Sequence, residues 1–288
     1  MSEREGRDDP ARHTELSVEL VQGGVELAGA SAGAAVGLIG GPVGAMAGAG
    51  AGVVVTRVLK RVGAELQSRV LGPRQRVRAG AAFAIAIDEV NRSLQAGEQL
   101  SAAWMKETEG GRPEAEEILE GVLLAATDAW EENRVRHLGL LYASIVFSYH
   151  GPEYGHYLVT LAGRLTWRQM VALAVFAYDQ PARFRLFKRV PDALILDSGL
   201  EAELDELGQT GILGFRQQDE SIARPASTLG GGRLSGAEAE NVVPTSLGRA
   251  LAHSLALERV PMADREAVRE SLEGRVPRRD LRADFDMQ

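Results

Sequence analysis

Residues 27–56 carry no charged side chain, and glycine recurs through them at every fourth position. Gly29, Gly33 and Gly37 form one row, and Gly44, Gly48 and Gly52 form a second, which Gly40 extends backwards. Residues four apart share one face of a helix. Gly40-Gly41-Pro42 divides the run, and proline suits the first turn of a helix better than its interior. The pattern predicts two helical arms, the first ending near Ile39 and the second running from Pro42 to about Val70, each with a smooth face that another backbone can approach closely. Glycine costs about 1 kcal/mol per helical position relative to alanine, so close contact must compensate. A lipid surface or an assembly would supply it. A soluble alanine/glycine hairpin packed on its own protein, or a partly disordered segment, are the alternatives. Each arm is shorter than the roughly 20 residues a spanning helix needs. The expectation is therefore self-association or conditional, shallow membrane contact, with Arg57, Lys60 and Arg61 on the cytoplasmic side.

The same stretch contains two patterns that mimic catalytic motifs. GASAG, Gly29 to Gly33, matches a nucleophile elbow, but that motif requires a strand before the serine, and Ser31 lies inside a helical glycine/alanine pattern. A phosphate loop needs a lysine after its glycines, and none follows Gly48, Gly50 and Gly52. HGPEYGH offers His150, Glu153 and His156, residue types that bind zinc. Their three-residue spacing crosses Gly151-Pro152, so the reading adopted is a polar join between helices, with no metal and no cofactor. The acidic pairs Glu116-Glu117 and Glu131-Glu132 read as solvated helix faces. Arg183, Arg185, Lys188 and Arg189 cluster in PARFRLFKRV, a basic patch able to meet nucleic acid or anionic lipid. No constellation marks an enzyme.

The formal net charge of -8 argues against a dedicated nucleic-acid binder, which needs a basic face. The absence of cysteine excludes disulfides and thiolate chemistry. Lys60, Lys106 and Lys188 are the only lysines beside many arginines, alanines and glycines, a composition typical of a GC-rich bacterial genome. The charged start MSEREGRDDPARHTE has no apolar signal core, so the expected location is the cytoplasm, with inner-membrane association through the glycine-rich arms.

The pattern along the chain predicts a mainly α fold. Residues 1–13 read as a disordered tail and 14–100 as a glycine-zipper hairpin plus a helix. SAAWMKETEGGRP, residues 101–113, reads as a polar linker. Residues 114–180 read as a helical bundle, in which RVRHLGLLYASIVFSYH is buried and Thr166 to Gln169 form a capping box. Residues 181–274 read as a winged-helix-like module with a short β-hairpin: LEAELDELGQTG as helix, GILGFRQ and ENVVP as strands, and Thr245 as the cap of TSLGRALAHSLAL. Its candidate recognition helix carries Glu201, Glu203, Asp205 and Glu206 and no basic residue, which opposes entry into a DNA groove. Residues 275–288 read as a frayed tail.

The order RHLGLLYASIVF, YLVTLAGRLTWRQMVALAVF and PTSLGRAL, behind a glycine-rich apolar segment, resembles bacterial Abi-alpha (abortive infection) type proteins over residues 114 to 257. The resemblance implies a phage-defence role and transfers no catalytic residue. Together these readings predict a non-enzymatic helical effector that self-associates or meets a membrane and answers an unidentified protein trigger. A winged-helix DNA-binding regulator is the alternative, with nucleic acid the less favoured partner.

Overall fold

In the computed structural model, the described residues are 61–62, 71–105, 111–179, 198–216 and 241–273. They hold eight α-helices and one two-stranded antiparallel sheet. The expected glycine-zipper arms, with Gly29, Gly33, Gly37, Gly40, Gly44, Gly48 and Gly52, lie outside them, as does the basic cluster Arg183, Arg185, Lys188 and Arg189. Among the described residues, no helix is long and apolar enough to cross a membrane.

The chain divides into two compact units at Arg164/Leu165. In the first, α1 spans Pro73–Gln95, α2 Glu114–Thr127, α3 Glu132–Phe147 and α4 Pro152–Ala162. Three of these starts follow from proline: Pro73 and Pro152 stand at the first helical positions and Pro113 at the N-cap. Gln75 Oε1 also accepts the Gly72 N–H at 3.0 Å. At the other end of α1, Gly97 adopts φ 87°, and the amides of Gly97 and Glu98 return to the carbonyls of Leu94 and Ser93. This is a Schellman stop, which a left-handed glycine permits.

α3 is buried nearly all round, from Val135 through Val146, and forms the centre of this unit. α1 packs against it through a strip of small residues, Ala79, Ala82 and Ala86. Opposite them stands Gly139, where a Cβ would come within 2.7 Å of the Ala82 carbonyl oxygen and 3.0 Å of the Ile85 side chain. Trp104 lies in a 3-10 turn, Ala102–Met105, wholly buried against Gly155 and Ile145. SAAWMKETEGGRP is therefore no purely polar spacer: its one large apolar side chain belongs to the core. For the same reason 101–113 does not separate compact units, because α1 buries its apolar face on α2 and α3.

In the second unit, α5 spans Trp167–Tyr178, α6 Ser198–Gln209, β1 Leu213–Phe215, β2 Val242–Pro244, α7 Ser246–Ser254 and α8 Met262–Leu272. α5, read from the sequence as the last helix of the 114–180 bundle, is instead the centre of this unit. Its residues Gln169 to Phe176 are all buried, and α6, β2, α7 and α8 pack around it. Its start is the expected capping box: Thr166 Oγ1 accepts the Gln169 N–H at 3.1 Å, and Gln169 Oε1 accepts the Thr166 N–H at 2.9 Å. Arg168 Nε donates to Glu203 Oε2 at 2.6 Å and Gln169 Nε2 to Glu206 Oε2 at 2.8 Å, tying α6 to α5. Gly211, at φ 72°, turns the chain from α6 into β1. The strands pair Leu213 with Pro244 and Phe215 with Val242. The Thr245 hydroxyl accepts the Gly248 N–H at 3.1 Å and donates to the Gly211 carbonyl at 2.6 Å.

At the end of α5, Arg265 of α8 donates to Asp179 at 2.6 Å, and the Tyr178 hydroxyl donates to Glu258 at 3.4 Å. Burial first, then the Glu258 charge and hydrogen bond, push the Tyr178 hydroxyl up to about 12, with Arg265 opposing.

Gly139→Ala forces α1 and α3 apart and should destabilise the protein by roughly 1–3 kcal/mol, read as a lower urea midpoint. Tyr178 supplies a pH test. With its ionisation raised in the folded state, its contribution is complete below the ordinary tyrosine value of 10.0 and is lost as pH rises through about 12. Between about pH 9 and about pH 11.5, wild type should lose more stability than Tyr178→Phe in paired urea titrations.

Candidate functional site

The densest collection of chemically active side chains among the described residues lies where α2 faces α4. Glu114, Glu116 and Glu117 occupy the first turn of α2, where the helix dipole favours carboxylates. The helical turn then sorts them. Glu116 points inward and is 1% exposed, against the expectation of a solvated face. Its Oε1 lies 3.3 Å from Arg61 Nε and 3.5 Å from Arg112 Nε. Arg112 also reaches Glu120 at 3.1 Å. Tyr142 of α3 is buried in the same region: burial, then the Glu116 charge, hold its hydroxyl well above the usual tyrosine range.

Glu114 and Glu117, three residues apart, stand on the neighbouring face with His156 of α4. One ligand-capable atom from each lies within 4.8 Å of the others, and His156 Nε2 is 3.2 Å from Glu114 Oε2. All three side chains are half-buried. This is the one grouping of three potential metal-ligating side chains among the described residues. It shares only His156 with the combination His150, Glu153 and His156. His150 is engaged elsewhere: its ring lies between Tyr149, at 4.2 Å, and Tyr154, at 4.6 Å, both tilted. Gly151 is the N-cap and Pro152 the first residue of α4, so His150 precedes the helix that carries His156.

Around the start of α4 the surface is aromatic. Tyr149 is 89% exposed, and Tyr157 is exposed as well. Tyr154 completes the group, its hydroxyl raised by partial burial and by its neighbours Tyr149 and Tyr157. Trp130, 86% exposed, lies beyond the opposite end of α3 and is a separate feature.

Sequence reading singled out His156 but paired it with its neighbours in the chain. Glu114 and Glu117 come from 42 and 39 residues away (156 minus 114 and 156 minus 117), a separation that carries no local signal. For Glu116 the partner Arg112 lies only four residues earlier in the chain, just ahead of the N-cap Pro113. Comparison with known families, curated proteins and solved structures returns no match.

Arg61→Ala combined with Arg112→Ala removes both arginines beside a buried carboxylate and should cost about 3 kcal/mol. Adding Glu116→Gln to that pair should restore part of the loss, because the amide needs no counter-charge. Thermal melts of the three proteins check it.

Proposed function

We propose that this chain is a non-enzymatic helical effector that works by association: its glycine-rich arms meet a second copy or a membrane surface, and its helical units answer a protein trigger. The observation that carries this reading is the pair of glycine rows, Gly29, Gly33, Gly37 and Gly40, Gly44, Gly48, Gly52, in a stretch without charge. Rows of that kind are useful only where another backbone or an acyl surface comes close. The α1–α3 contact supports the reading, because there this chain already joins two helices through alanine and glycine. The resemblance to Abi-alpha type proteins makes phage defence the biological setting, in a bacterial cytoplasm with inner-membrane association. The exposed tyrosines around the start of α4 are a surface suited to a protein trigger.

A second reading, a DNA-binding regulator, is favoured by one observation. The order α6, β1, β2, α7, with the strands paired antiparallel, is the order of a helix followed by a wing. Glu203 and Glu206 are held on α5, which takes part of the negative charge of α6 away from a groove. Arg183, Arg185, Lys188 and Arg189 would supply the phosphate contacts, and a salt-dependent gel shift on genomic fragments is the expected result.

For the association reading, cells expressing the full chain are separated into soluble and membrane pools, and both pools are sized. Wild type should appear as oligomer or in the membrane pool. Gly33, Gly37, Gly44 and Gly48 changed together to leucine should return it to the soluble, monomeric pool. Wild type that is wholly soluble and monomeric overturns the proposal.

A further inference from the structure

We propose that Glu114, Glu117 and His156 bind a divalent first-row transition cation between α2 and α4. Three observations carry it. The first is convergence from two helices: the donor atoms lie within 4.8 Å of one another although one side chain comes from α4 and two from α2. The dipole of α2 explains why acids sit in its first turn, but not why an imidazole meets them there.

The second is an edge length. Two ligands each about 2.1 Å from one ion stand about 3.0 Å apart at an octahedral angle and about 3.4 Å apart at a tetrahedral one. His156 Nε2 and Glu114 Oε2 are 3.2 Å apart, a separation that falls between these two edges and also serves as their hydrogen bond when no ion is bound. A carboxylate oxygen of Glu117 lies within 4.8 Å of both of these atoms.

The third is the state of Glu117. A plain ion pair between His156 and Glu114 would account for those two residues and leave Glu117 without a role. Among the described residues its carboxylate makes no ion pair or hydrogen bond, and Arg112 is turned to Glu116 and Glu120. A cation between two neighbouring carboxylates offsets their mutual repulsion. A divalent ion supplies the charge that one imidazole does not.

The donor set defines the ion. Two carboxylate oxygens and one imidazole nitrogen suit zinc, manganese or iron(II), and three protein ligands leave further positions for water. Binding uses Nε2 of His156 as a neutral donor, so the ring keeps its single proton on Nδ1 and a protonated ring must release one first. The tie joins α2 to α4 inside the first unit and raises its stability when loaded.

The test uses the full chain, stripped with chelator and titrated with zinc and then manganese chloride by calorimetry, with thermal melts alongside. One ion per chain and a higher melting temperature on loading are expected. Glu117→Gln is the sharpest variant: metal-free stability should stay near wild type, while affinity falls by at least about tenfold. His156→Ala should do the same, and His150→Ala should leave affinity unchanged. Failure to saturate at one equivalent, or equal affinity in wild type, Glu117→Gln and His156→Ala, overturns the site. None of these readouts depends on association through the glycine-rich arms.

Discussion

The first unit depends on a distance between two backbones. α1 reaches α3 so closely that no side chain fits at Gly139, where the Ala82 carbonyl occupies the space. Such proximity sets everything around it. Ala79, Ala82 and Ala86 of α1 are buried, and α1 packs on both α3 and α2. α3, apolar almost all round, is covered on one side by α1 and on others by α2 and α4. Trp104 meets Gly155 in a second contact of the same kind, a ring set against a residue with no Cβ. Small residues thus fix where the helices lie, and the large ones fill what remains.

The two halves of the molecule reach their cores by different routes. In the first, apolar helices stack around several buried polar groups, Glu116 with its arginines, Thr127, Arg134 and His137. In the second, α5 is apolar along its middle, but polar groups at its two ends do the joining. Arg168 and Gln169 hold α6 near its start, and Asp179 holds α8 at its close. The polar groups lie where helix termini already expose unsatisfied backbone, and the middle of α5, Met170 to Phe176, is buried and apolar.

How much of this could be read in advance follows from how local each signal is. The capping box at Thr166 and the cap at Thr245 were legible because each depends on a residue and its immediate neighbours, whereas HGPEYGH, read as a join between helices, already enters α4 at Pro152. The strands at Leu213 and Val242 were legible as short β-branched or apolar runs between turn signals. The division at Arg164/Leu165 was not, because α5 has the same apolar composition as α3 and nothing in its own sequence says which neighbours will bury it. Nor was the burial of Trp104 legible within a polar stretch, nor the meeting of His156 with Glu114 and Glu117. Those depend on which helices face each other, and a single sequence does not state that. The GASAG and glycine-row readings fall on residues outside those described, so the fold neither adds to them nor removes them.

The hydroxyl of Thr245 has a consequence for how the chain can change. It starts α7 and at the same time grips the carbonyl of Gly211, across the base of the strand pair. At the opposite end of the pair, where the stretch joining β1 to β2 leaves it, the Arg216 amide donates to the Asn241 carbonyl at 2.7 Å. The entropy of closing a loop grows only with the logarithm of its length, so each doubling adds about 0.6 kcal/mol. A connection held at both strand ends in this way can change length at small thermodynamic cost, while the Thr245 bonds at the far end of the pair are untouched.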